Sequence, residues 1–124
     1  MFMLVERRLL CAGVAASAVG AGILRALGHL LLPRTAATAA LLLAFTVIAC
    51  TALAQFLFRD IPADTRASTA LVIILPTLVL DGFSAVFFPQ VFPNIPADAV
   101  GVFAGWMMAC CAGVALGTFP RPAR

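Results

Sequence analysis

The sequence predicts an all-α protein, a four-transmembrane-helix bundle with both termini on the cytoplasmic side (N-in/C-in). Three observations predict it. Hydrophobic residues make up 64% of the 124 positions and charged residues 10%, against roughly 45–50% and about 25% in soluble domains. Four apolar stretches each approach the ~20 residues a helix needs to cross a hydrocarbon core. The arginines gather at one end of those stretches. A small soluble domain buries only about two-thirds of the surface its chain exposes, so the apolar excess here must meet lipid. Helices follow, because in hydrocarbon every backbone N–H and C=O has to be satisfied within the segment.

Within a single membrane domain, the four spans are read as Leu9–Leu32, Ala36–Phe58, Ser68–Phe88 and Ala97–Phe119. Pro33-Arg34-Thr35 ends the first, since proline disfavours helix in the residue before it. Arg59 to Arg66 is the most polar stretch, and Pro89 to Pro96 carries three prolines and no charge. Asp60-Ile61-Pro62-Ala63-Asp64 recurs as Asn94-Ile95-Pro96-Ala97-Asp98. Either two helices are repeated, or both stretches carry the same helix-start chemistry of Asp/Asn cap, proline and carboxylate. The residues that follow do not match, which favours helix-start chemistry.

Orientation follows from the positive-inside bias. Arg7, Arg8, Arg59, Arg66, Arg121 and Arg124 share the side of the termini, and only Arg34 and Arg25 belong to the other. The expected location is a cell inner membrane, with the lipid bilayer as partner. The chain has no basic stripe of the kind nucleic acid requires. Arg7-Arg8 followed by an apolar run and Ala16-Ser17-Ala18 also has the outline of a secretory signal, but the run is long for one. Cys11, Cys50, Cys110 and Cys111 lie inside apolar runs, where cysteine acts as a small apolar residue.

Asp81 is the first candidate functional residue. An ionised Asp near mid-membrane costs about 2.5–3.5 kcal/mol on insertion scales, and its side chain is too short to reach the surface. It should therefore face the bundle. Arg25 is the same number of residues from the outer end of its own span, so an Arg25–Asp81 ion pair is expected. The alternative is an Arg25 that snorkels outward beside a hydrogen-bonded, neutral Asp81. Thr77, Asp81 and Ser84 share one face of the third helix, and His29 follows Arg25 by one turn. Thr46 and Trp106 reach a comparable level, and a deep Trp106 needs a partner for its N–H. Together they define a candidate intramembrane polar layer. Pro76 should kink the third helix.

The fourth span carries a candidate packing stripe, Gly101, Gly105, Ala109, Gly113 and Gly117. Small residues every four positions let a second backbone approach closely, within the chain or across a homodimer through this helix. No nucleophile–base pair, zinc spacing or phosphate loop can be assembled, so neither catalysis nor a cofactor is expected. Cys110-Cys111 resembles the cysteine pair of mercuric-ion transporters, but adjacent helical residues diverge by about 100° and reach one metal only awkwardly.

Leu75-Pro76-Thr77-Leu78-Val79-Leu80-Asp81-Gly82-Phe83-Ser84, with Val91-Phe92-Pro93-Asn94 before the last span, resembles a family of small bacterial four-span membrane proteins of unknown function. The likeness is strongest in the second half and implies an inner-membrane protein with no assigned activity. The chain is also similar in size to small multidrug transporters. Those carry a membrane glutamate in the first helix, where this chain has Arg25. Two readings of function remain: a non-enzymatic protein acting through helix–helix association, and a small-solute or proton-coupled carrier that uses Asp81.

Overall fold

A computed structural model describes the backbone of residues 2–31 and 35–121 and the side chains of 7–28 and 35–121. It is all-helical, with no strand among the described residues. In chain order come α1 (Phe2–Leu31), α2 (Ala36–Leu57), α3 (Arg66–Val86), the short α4 (Phe88–Val91), a 3-10 turn (Ala97–Ala99) and α5 (Val100–Leu116). Among the described residues, α1, α2, α3 and the continuous Ala97–Leu116 helix are long and apolar enough to cross a membrane.

The element ends have local causes. Thr35 starts α2 through a capping box: its hydroxyl accepts from Thr38 N–H at 3.3 Å, and its own N–H donates to Thr38 Oγ1 at 3.4 Å. Two orphan donors of the first turn are satisfied this way. The apolar run of the third span does not continue to Phe88 as one helix. Pro89 has no N–H to offer the carbonyl of Ala85, so α3 closes at Phe87, whose N–H bonds Phe83, and α4 starts afresh. α1 begins seven residues before Leu9, since Val5, Glu6 and Arg7 are compatible with helix outside an apolar run. Pro76 lies inside α3, which runs unbroken through it.

The two Ile-Pro-Ala-Asp stretches share a local conformation. Ile61 N–H donates to Phe58 and Thr65 N–H to Pro62, while Ile95 donates to Phe92 and Ala99 to Pro96, all at 3.0–3.1 Å. Both phenylalanines are buried. Neither stretch uses a side-chain cap, so the expected Asp/Asn cap is replaced by the proline carbonyl. The same turn thus launches α3 at one end of the molecule and α5 at the other.

Two long contacts dominate the packing, α2 on α5 and α1 on α3, with α3 on α5 joining them. Both dominant pairs run parallel. On α1 and α3 the partners are Gly13 with Thr77 and Ser17 with Asp81, each 64 residues apart. On α2 and α5, Gly105 meets Leu43, Gly113 meets Cys50 and Gly117 meets Ala54. Side by side, the helices therefore read α1, α3, α5, α2.

One apolar cluster closes the end near the proline-rich stretch: Leu24, Phe88, Phe92, Ile95 and Phe103. Its three rings stand 5.2–5.4 Å apart, tilted by 50–55°, within the range that favours aromatic pairs. Gly28 lets Ile95 lie against α1, where an added Cβ would fall 3.0 Å from Ile95 Cγ1. A second cluster, Ala54, Phe58, Ala70 and Ile74, joins α2 and α3 at the other end.

Candidate functional site

Asp81 projects from α3 towards α1. Its Oδ1 accepts a hydrogen bond from Ser17 Oγ at 3.3 Å, while Oδ2 is buried and finds no partner among the described residues. One turn earlier, Thr77 Oγ1 donates to its own helix at Ile73 O (3.2 Å) and reaches Gly13 O across the interface at 3.5 Å. The helices come this close because Gly13 has no side chain: a Cβ there would sit 2.8 Å from Ile73 O and 3.3 Å from Pro76 Cγ. Gly13, Ser17 and Ala21 recur every four residues on α1. They form a small-residue face on which the α3 carboxyl lands.

A second polar contact joins the other helix pair. Trp106 Nε1 donates to Thr46 Oγ1 at 2.9 Å, and Thr46 in turn donates to Leu42 O at 2.7 Å. Thr46 is buried. Its hydroxyl thus serves as both acceptor and donor, so its one proton and one of its two lone pairs are engaged. Ser84 Oγ donates back to Leu80 O at 2.9 Å, the local back-bonding of hydroxyls inside helices.

Between α1, α3 and α5 lies a cavity of about 350 Å³, walled mainly by apolar side chains such as Leu24, Phe103 and Met107. Ser17, Thr77, Asp81, Ser84, Trp106 and Cys110 contribute to its lining. The two polar contacts therefore flank one space without bonding to each other. Cys50, Cys110 and Cys111 are free thiols. No group of three or more His, Cys, Asp or Glu able to hold a metal occurs among the described residues.

The structure brings Thr46 to Trp106 and sets Thr77, Asp81 and Ser84 on one cavity wall. Arg25 does not join them. The separation of 64 residues that pairs Ser17 with Asp81 places Arg25 opposite Pro89, beyond the end of α3. It lies two turns, or about 12 Å, above Ser17. Its side chain is exposed, and the ion pair among the described residues is Arg59 with Asp60. The expected Arg25–Asp81 pair is therefore replaced by Ser17–Asp81, because α1 extends further towards that end than α3 does. The His29 side chain lies outside the described residues. Ser17 was the residue missed; its place in the Gly13-Ser17-Ala21 series was the signal.

The α5 stripe also has a definite partner. An added Cβ at Gly113 would lie 2.5 Å from Cys50 Cβ and 2.9 Å from Val47 O, and one at Gly117 would lie 3.1 Å from Thr51 O. A Cβ added at Gly105 would make ordinary contact with the Leu43 methyls at 3.8 Å, and Ala109 is buried. Gly101 faces open space. Most of the stripe is thus occupied by α2 of the same chain.

Fold and site together define an all-helical protein with four helices long and apolar enough to cross a membrane, and one carboxyl set among them. A family model described as a family of unknown function (DUF5367) matches residues 32–122, and the chain belongs to that family. The matched stretch takes in α2, α3, α4 and α5, while Gly13 and Ser17 on α1 lie outside it. No curated protein and no solved structure matches the chain.

Proposed function

We propose that this protein is a non-enzymatic integral membrane protein of an inner membrane, with four spans and both termini cytoplasmic, that acts through helix–helix association. The apolar exterior supports the membrane reading. No more than 11% of any of the four apolar windows is buried, and Leu41, Phe45 and Ile48 on α2 and Val79, Phe83 and Val86 on α3 point outward. Soluble monomers rarely expose apolar patches of such extent.

One observation carries the association reading: two polar side-chain contacts deep in the helices reach across to a neighbouring helix. Ser17 joins α1 to α3, and Trp106 joins α5 to α2. Such contacts contribute about 0.6 kcal/mol on average and up to about 1.7 in membrane proteins. Their value lies in fixing which helices pair and in what register. Association with a second copy or another membrane protein would extend the same chemistry.

A second reading, a small-solute or proton-coupled carrier, is favoured by Asp81 Oδ2, buried without a partner among the described residues beside the 350 Å³ cavity. Intramembrane carboxyls often mark ion and proton pathways. Ser17→Ala and Asp81→Asn, made singly and together, separate the two. The association reading expects the paired losses of stability in detergent to fall short of additive, with proton-linked flux in vesicles unchanged. An Asp81→Asn variant that folds like the parent yet loses such a flux establishes the carrier.

A further inference from the structure

Three arginines meet at the end of the molecule opposite the phenylalanine cluster. Arg59 follows α2, Arg66 opens α3 and Arg121 follows α5, and all three line one half-open cavity of about 340 Å³ that also includes Gln55. Each is fixed in the same manner, through its Nε. Arg59 donates to Asp60 Oδ2 at 3.3 Å, Arg66 to Ile61 O at 2.8 Å and Arg121 to Gln55 Oε1 at 2.8 Å. Arg59 also lies over the Phe56 ring, 4.7 Å from its centroid.

A guanidinium has five N–H donors, four of them on its terminal nitrogens. Among the described residues those terminal nitrogens have no hydrogen-bond partner in Arg59, Arg66 or Arg121. Asp60 is the one carboxylate paired with them there. Three like charges around one space repel, and among the described residues only Arg59 has a carboxylate partner. The positive-inside bias explains arginines on this side of the molecule. It does not explain why three from separate segments share a cavity with their outer donors left without partners among the described residues. Planar guanidinium forks match the oxygens of phosphate bidentately, and the cavity volume falls in the range of about 300–1,000 Å³ usual for small-molecule sites.

We infer that this cavity binds a phosphate-bearing anion through the terminal guanidinium nitrogens of Arg59, Arg66 and Arg121. The phosphate belongs to an anionic lipid headgroup or to a free phosphate. The lipid source rests on the proposed orientation, which turns the cavity towards the cytoplasmic leaflet, where basic pockets between helices receive such headgroups. The free-phosphate source does not depend on it.

The test uses the full chain purified in neutral detergent and two probes. Inorganic phosphate is titrated by calorimetry, and added phosphatidylglycerol is counted by native mass spectrometry. At least one probe is expected to bind saturably at one per chain. Arg121→Gln and Arg66→Gln should each weaken it roughly tenfold, the loss of about one charge-assisted hydrogen bond. Arg8→Gln, which removes an arginine from the same side but outside the cavity, should leave binding unchanged.

Phosphatidylglycerol bound without phosphate assigns the lipid source, and phosphate bound with the same arginine dependence assigns the soluble one. Because Arg66 also holds the Ile61 carbonyl, Arg66→Lys, which keeps the charge and loses the fork, is measured beside it on protein with parental helicity. The inference is overturned if neither probe saturates, if Arg121→Gln binds as the parent does, or if Arg8→Gln loses as much. Termini found outside the cell, with arginine-dependent phosphate binding intact, would remove the orientation and leave the site.

Discussion

Gly113 and Gly101 belong to one stripe of small residues and meet opposite surroundings. Gly113 lies against Cys50 and the Val47 carbonyl of α2, while a Cβ added at Gly101 would meet nothing within 4 Å. Gly113→Ala should push α2 from α5 and destabilise the protein by about 1–3 kcal/mol, the usual cost of overpacking. Gly101→Ala should be neutral or stabilising by up to about 1 kcal/mol, since alanine favours helix. Unfolding in mixed detergent compares them. Equal effects would mean that α2 does not occupy the stripe.

At the same scale, Asp81 was recognisable from its cost in an apolar run, but its partner was not. Counting residues from span ends puts Arg25 at its depth, whereas Gly13 sets the register and brings Ser17 there instead. A serine among alanines carries no hydropathy signal, and only its four-residue spacing from Gly13 and Ala21 marks it.

The elements themselves were legible where hydropathy changes sharply. α2 runs from Ala36 to Leu57 because Thr35 caps one end and the chain turns polar after Phe58. The proline-rich stretch was not legible. Its three prolines suggest a plain loop, yet Phe88–Val91 forms α4 and delivers Phe88 and Phe92 to α1 and α5. Phe92 is 0% exposed and touches both other rings of the cluster. Phe92→Ala should therefore cost about 3–5 kcal/mol. A fall in the thermal midpoint in detergent, with helicity retained below it, is the expected result. A midpoint like the parent's would show that α4 does not hold α1 and α5 together.

For the whole molecule, the order α1, α3, α5, α2 could not be read from pattern. In a soluble bundle, each helix shows its buried face by the contrast between apolar and polar sides. Here α2 and α5 are apolar all round, and a face turned to a neighbour differs from one turned outward mainly in residue size. Small residues and isolated polar groups are the remaining guides. They fix the two parallel pairs, with Gly13 and Ser17 on one and Gly113 and Gly117 on the other. Those pairs place the chain's connections at alternate ends and gather Arg59, Arg66 and Arg121 at one of them.

Membrane insertion with this polarity is tested most directly by two separate fusions at the C-terminus, one to a fluorescent protein that matures in the cytoplasm and one to a phosphatase active only outside it. Fluorescent, phosphatase-negative cells, with the protein in the membrane fraction until detergent is added, are the predicted result. Phosphatase activity at the C-terminus, or a monodisperse protein in buffer without detergent, would contradict it.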